Sequence, residues 1–119
     1  MATKALTGFT PTWFTPTDQR DKDIDRPTRY KLKPLDGIQF LEVAANGDTQ
    51  ADGTFMPNHK GRLLLLRNGI KGWENVVDHD DETLEFNIAR IKFIPAPHLV
   101  ECVNEILERS ALGAADEKN

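Results

Sequence analysis

Phe-Thr-Pro-Thr stands twice near the start of this chain, at Phe9–Thr12 and at Phe14–Thr17, with Trp13 between the copies. Pro11 and Pro16 have a fixed φ and no N–H to donate, and each pushes the threonine before it out of the α region. Threonine and the aromatics favour extended chain. Two prolines exclude a central strand and leave only an edge. The stretch is therefore an extended arm, and every helix must come from the residues beyond it. Phe9, Trp13 and Phe14 then have two fates. They fold back as a lid on their own domain, as large aromatics usually do, or they dock onto a partner.

Beyond the arm, Asp18–Pro27 is charged with mixed sign and holds one apolar residue, Ile24, which is the composition of a solvated linker. Thr28–Leu35 alternates, with Tyr30 and Leu32 on one side and Arg29, Lys31 and Lys33 on the other. That predicts a half-buried strand ended by Pro34. Asp36 with Gln39 forms a capping-box pattern for a first helix reaching Ala45. Ile38, Leu41 and Ala45 share its apolar face, Phe40 and Ala44 lie beside it, and Asn46-Gly47 supplies a left-handed stop. Gly47–Pro57, rich in Gly, Asp and Thr, reads as a mobile loop.

Asn58 caps a second helix running to Asn68, with Asn68-Gly69 as its stop. Leu63, Leu66 and Ile70 lie at helical spacing, and Leu64 and Leu65 widen the apolar face, so this helix should be central. Val76, Val77, Leu84 and Phe86 fit a small hairpin around the polar turn His79–Glu82. Asn87 caps a short turn containing Ile88 and Ile91, and Pro97 suits the first turn of a last helix. There Leu99, Val103, Ile106 and Leu107 form the buried stripe with Cys102 beside it, while Glu101, Asn104, Glu105 and Glu108 point outward. Glu105 and Arg109 form an i,i+4 pair, and Gly113 ends the helix. The fold class is α+β and mostly helical: about three helices, a short strand and a small β-hairpin behind an extended N-terminal arm. The boundaries read as arm and charged linker over 1–27, globular domain over 28–112 and disordered tail over 113–119.

Composition narrows the function. A chain of 119 residues can bury a core without metal or disulfide staples. A net charge of −4 with no positive stripe argues against nucleic acid as a partner. The longest apolar run, Leu63–Leu66, is far short of a membrane span. The lone Cys102 excludes a disulfide framework and a Cys-based zinc site. With no signal-peptide layout at the start, these features indicate a soluble protein of a reducing cytoplasm.

The acidic cluster Asp78, Asp80, Asp81, Glu82 and Glu85 encloses His79, but a calcium loop counted from Asp78 would meet Thr83 where glycine is required and Ala89 where glutamate is required. It reads as a solvated turn held by side-chain-to-backbone bonds. His59, His79 and His98 lack metal-ligand spacing and suit surface or capping roles. Ser110 is the only serine, placed on the polar side of the last helix with no nucleophile-elbow motif around it. Cys102 sits among apolar residues and reads as a structural thiol. Gly69–Gly72 lacks the spacing of a phosphate cradle. The expectation is a protein without catalytic residues, metal or cofactor.

The order of pieces resembles a known family. A Trp13–Asp18 arm precedes a charged linker; Arg26–Val43 runs from a short basic strand through Pro-Leu into a helix. Then come a Leu-rich helix, Gly69–Asn87 ("GIKGWENVVDHDDETLEFN") and a last amphipathic helix ending Ile106–Leu112 ("ILERSAL"). This resembles the small tail assembly chaperones of long-tailed bacteriophages over about residues 13–110. The most specific piece is Gly69–Asn87, where His79-Asp80-Asp81 replaces a turn that commonly contains glycine. The resemblance implies a non-enzymatic protein of the bacterial host cytoplasm. Its partners would be the tape-measure protein, a long helical and aggregation-prone chain, and the tail-tube protein, together with self-association. It would be absent from the finished particle. The residues expected to meet partners are Phe9, Trp13 and Phe14 on the arm and Glu101, Glu105 and Glu108 on the last helix. Competing classes are an inhibitor directed at a host protein and a minor structural part of the virion such as a connector.

Overall fold

The computed structural model describes residues 10–118, with side chains as far as Ser110. Phe9 and the side chains of the expected tail lie outside them. In chain order the elements are β1 (Thr12–Phe14), β2 (Arg29–Leu32), α1 (Gly37–Ala44), β3 (Gly47–Thr49), β4 (Phe55–Pro57), α2 (His59–Gly69), β5 (Ile70–Glu74) and α3 (Ala96–Lys118). Short 3-10 turns occupy Thr17–Gln19 and Ile88–Phe93. The fold is α+β, a three-stranded antiparallel sheet and a separate β-hairpin packed with helices.

The strand order is β1-β2-β5, so the basic strand is central and the aromatic arm is an edge. The register aligns Phe14, Tyr30 and Trp73 in one row across the three strands. Tyr30 is 1% exposed, Trp73 is buried with it, and Phe14 packs against them. The Tyr30 and Trp73 rings meet edge-on at 6.5 Å, and Phe86 meets Trp73 at 4.9 Å. Alternation turns Trp13 to the other face, where the Arg29 guanidinium lies 5.0 Å and the Lys31 ammonium 5.6 Å from its ring. The arm is therefore folded back onto its own domain. Pro11 ahead of β1 and a fully buried Pro16 behind it confine the pairing to three residues.

Both helix starts follow the sequence. The Asp36 carboxylate accepts from the Gln39 N–H (2.8 Å) while the Gln39 amide oxygen accepts from the Asp36 N–H (3.1 Å). The Asn58 side chain accepts from the Gly61 N–H (2.9 Å) and opens α2. The buried face of α1 is not the one expected, however. Val43 is the buried residue, while Ile38 and Leu41 are 68% and 65% exposed. In Gly-Ile-Gln-Phe-Leu-Glu-Val-Ala only Gln39 and Glu42 are polar, so periodicity alone could not select the side that packs. In α2 Leu65 and Leu66 are buried. Gly69 is not a left-handed stop: Ile70 is extended (φ −86°, ψ 123°) and leads straight into β5. The glycine is needed for packing instead, since a Cβ there would stand 2.5 Å from Ile106 Cδ1.

Two strand assignments change. Residues 47–57 are not a loop but the β3–β4 hairpin, with Gly47 opposite Pro57 and Thr49 opposite Phe55. Its turn closes with the Gln50 N–H donating to the Thr54 carbonyl (2.7 Å), and Gly53 takes a φ of +89° that only glycine adopts freely. Conversely, Gly72–Glu74, just before the residues expected to form a hairpin with 83–86, pairs with β2. Asn75, at φ +57°, turns the chain out of the sheet, and Val76 and Val77 then meet the expected partners in a narrow hairpin: Val77 bridges Thr83, the Leu84 N–H donates to the Val76 carbonyl (2.8 Å) and the Asp78 N–H to the Glu82 carbonyl (2.8 Å).

In α3, Cys102, Val103 and Ile106 are buried and Leu99 and Leu107 half-buried, as the stripe predicts. The helix does not stop at Gly113: its backbone continues to Lys118. The glycine is surrounded by strong helix formers, and its cost of about 1 kcal/mol is tolerable there. His98 and Ser110 are not surface residues, both being 8% exposed. Ser110 Oγ donates to the Ile106 carbonyl (2.7 Å) and accepts from the Leu35 N–H (3.0 Å), which pins the link between β2 and α1 to α3.

Val103→Asp would bury a charge with no partner and should cost about 3 kcal/mol or more in urea unfolding. Asn104→Asp, one residue on and exposed, should change the midpoint little. Equal destabilisation by the two would mean that α3 presents another face to the core.

Candidate protein-binding surface

Three faces of α3 carry different chemistry. One is the core stripe. The second is a polar row, His98, Glu101, Glu105 and Arg109, repeating at each turn and directed at the arm. The buried His98 sits between two partners: its Nδ1 is 2.7 Å from the Tyr30 hydroxyl and its Nε2 is 2.8 Å from Asp18. Glu101 accepts from both the N–H (3.0 Å) and the hydroxyl of Thr17. Arg109 is oriented by Glu105 (2.8 Å) and donates to Thr12 Oγ1 (2.8 Å) and to the Leu32 carbonyl (2.8 Å). The arm is thus fastened at Thr12, Thr17 and Asp18 along three turns of one helix.

The electrostatics fit a closed structure. Burial first, then the nearby Cys102 and Asp18, push the Tyr30 pKa well above the ordinary phenol value, so its hydroxyl stays protonated. Burial first, then Glu101 and Glu105, push the Cys102 thiol up from 9.0 to about 12, and Arg109 opposes this. Thr17, through its side chain and then its backbone, holds the Glu101 carboxyl below the usual range. Tyrosine, histidine and aspartate in series have the parts of a proton relay. At 1% exposure, however, Tyr30 offers no room for a substrate.

The third face of α3 is open. At about 100° per residue, Val100 points about 180° away from Arg109. Val100 is 54% exposed and, with Leu107, forms one side of an apolar groove of about 890 Å³. Leu63 and Leu66 of α2, Phe40 of α1 and Met56 of the hairpin complete it. Phe40, Met56 and Leu63 are all substantially exposed. Phe40 is the one α1 residue in this lining; Ile38, about 160° round the helix from it, points elsewhere.

The acidic turn is built as expected. Asp78 Oδ1 accepts from the Asp80 (2.8 Å) and Glu82 (3.1 Å) N–H groups, and Asp81 takes the left-handed position at φ +60° that glycine would otherwise fill. Asp78, His79 and Asp80 offer ligand atoms within 4.8 Å of one another on this exposed turn. The turn's own N–H groups already use the Asp78 oxygen.

The residues expected to meet partners divide accordingly. Phe9 lies outside the described residues. Trp13 is 40% exposed on the outer sheet face, and Phe14 packs inward beneath Arg20. Glu101 and Glu105 are engaged within the chain, and only Glu108 borders the groove. Sequence reasoning missed the groove, because its lining comes from four separate elements. The available signal was an α1 apolar on nearly every side and an α2 with four consecutive leucines.

Alkaline pH should loosen the fold. A folded thiol pKa of about 12 against 9.0 for the free thiol means that this contribution is complete below pH 9. It is lost as pH rises toward 12, and Tyr30 acts in the same direction. Urea midpoints should fall above pH 9, and at about pH 8 native Cys102 should resist iodoacetamide until the chain unfolds. Rapid native labelling would show that the α3 core stripe opens locally.

The chain matches no protein-family model, no curated protein and no solved structure, so groove and arm stand on their own geometry.

Proposed function

We propose that this chain is a tail assembly chaperone of a long-tailed bacteriophage. It is not an enzyme: it binds the tape-measure protein and brings tail-tube subunits to it in the host cytoplasm, and it leaves before the particle is complete. The observation that carries this reading is the open apolar groove bounded by α2, α3, Phe40 and the β3–β4 hairpin. A long helical client exposes an apolar stripe along each segment, and an apolar trough is the complementary shape for it. The residue order that resembles the chaperone family supplies the identity of the client. The polar ties of the arm lie on another face of α3 and do not compete for this surface, so the groove, rather than the aromatic arm, receives the client. Among the described residues no helix is long and apolar enough to cross a membrane, which agrees with work in solution.

Co-expression with the tape-measure protein tests the proposal. Wild-type chain should co-purify with it and keep it soluble. Leu63→Glu and Val100→Glu place charge on exposed groove positions, so both variants should fold normally by circular dichroism yet lose the client. Purified phage particles should lack the chain. Stoichiometric presence in particles, or full client binding by both variants, would refute the assignment.

A further inference from the structure

The α2 wall of the groove has a charge as well as a shape. In a chain of net charge −4, α2 contains Lys60, Arg62 and Arg67 and no aspartate or glutamate. Among the described residues none of these three cations forms an ion pair, whereas Arg29 and Arg109 each do. Arg62 and His59 line the groove itself; across the whole lining the only acid is Glu108. The α3 residues involved, Ala96 to Glu108, span about 18 Å at 1.5 Å per residue, the length of a three- to four-turn helix. We infer that the groove takes an amphipathic helical segment whose apolar stripe is flanked by acidic residues on the side that meets α2, where Arg62 of the lining pairs with them.

This rests on the reading of the groove as a protein-binding site and adds the chemistry of its ligand. The apolar floor supplies affinity, and Arg62 chooses among helices. Rim charges contribute little binding energy singly but discriminate strongly between like and unlike partners. The protein's overall negative charge opposes an acidic segment at long range. At physiological salt that field fades within about 8 Å, so contacts at the α2 rim decide the outcome.

The test uses full-length protein and two synthetic helical peptides of about four turns with an identical leucine stripe, one flanked by glutamates and one by lysines. Binding is read by fluorescence anisotropy. The acidic peptide should bind roughly 3- to 10-fold more tightly, a margin that shrinks at high salt and that Arg62→Glu removes or reverses. Equal binding, or preference for the lysine peptide, would overturn the inference while leaving the groove a protein-binding site. Absence of binding by either peptide, or binding that Leu63→Glu and Val100→Glu leave unchanged, would overturn the reading of the groove itself. A stable dimer that neither peptide dissociates would do the same, since the groove would then belong to a second copy.

Discussion

The hydroxyl of Tyr30 lies in the middle of the central strand with no access to water, and much of the architecture follows from satisfying it. A buried hydroxyl left without a partner costs about 1–3 kcal/mol. His98 provides the partner, which requires a histidine on the inward side of α3 in place of an apolar residue. The second ring nitrogen then needs its own partner, and Asp18 supplies it from the 3-10 turn that follows β1. Holding Asp18 against His98 fixes the residues just before it. Pro16 is buried on the way, and Thr12–Phe14 is brought alongside β2. One polar atom in the core thus recruits the N-terminal arm.

Recruitment of the arm also decides which surfaces remain for other molecules. The polar row of α3 is consumed by it: Glu101 holds Thr17, and Glu105 and Arg109 hold Thr12. The core stripe is consumed by α2 and the sheet, closely enough that Gly69 admits no side chain against Ile106. What is left of the helix is the flank of Val100 and Leu107, and it faces the groove. Phe40 of α1 belongs to the same side. An open apolar patch of this kind is a common mark of an interaction site. The chain is therefore divided into a self-satisfied side, where polar groups are paired internally, and an unsatisfied side, where apolar groups are not.

Local rules were legible wherever one residue and its near neighbours set the structure. The capping box at Asp36, the Asn58 and Asn87 caps, the alternation of β2 and the buried stripe of α3 all read correctly because their partners lie within a few positions. The failures share a cause. His98 and Ser110 look like surface residues because the groups that bury them, Tyr30, Asp18 and Leu35, are 68 or more positions away in the chain. The β3–β4 hairpin was unreadable because its strands are three residues each, one opening with glycine and the other closing with proline. The face of α1 was misassigned because six of its eight residues are non-polar. That same ambiguity is physical information, since a helix apolar on most sides expects cover on most sides. The excess of apolar residues in α1 and α2 hinted at an open apolar surface, but the groove itself is built by four elements distant in sequence, and only the fold brings them together.

In the proposed function the arm belongs to the fold and the groove to a client. Methyl and amide NMR of the full-length chain, titrated with a helical segment of the tape-measure protein, tests it directly. Shifts are expected at Met56, Leu63, Val100 and Leu107, while the Trp13 indole and the Thr12, Thr17 and Asp18 amides stay in place. Shifts confined to Trp13 and those amides, with the groove methyls unmoved, would contradict it and return the client site to the aromatic arm.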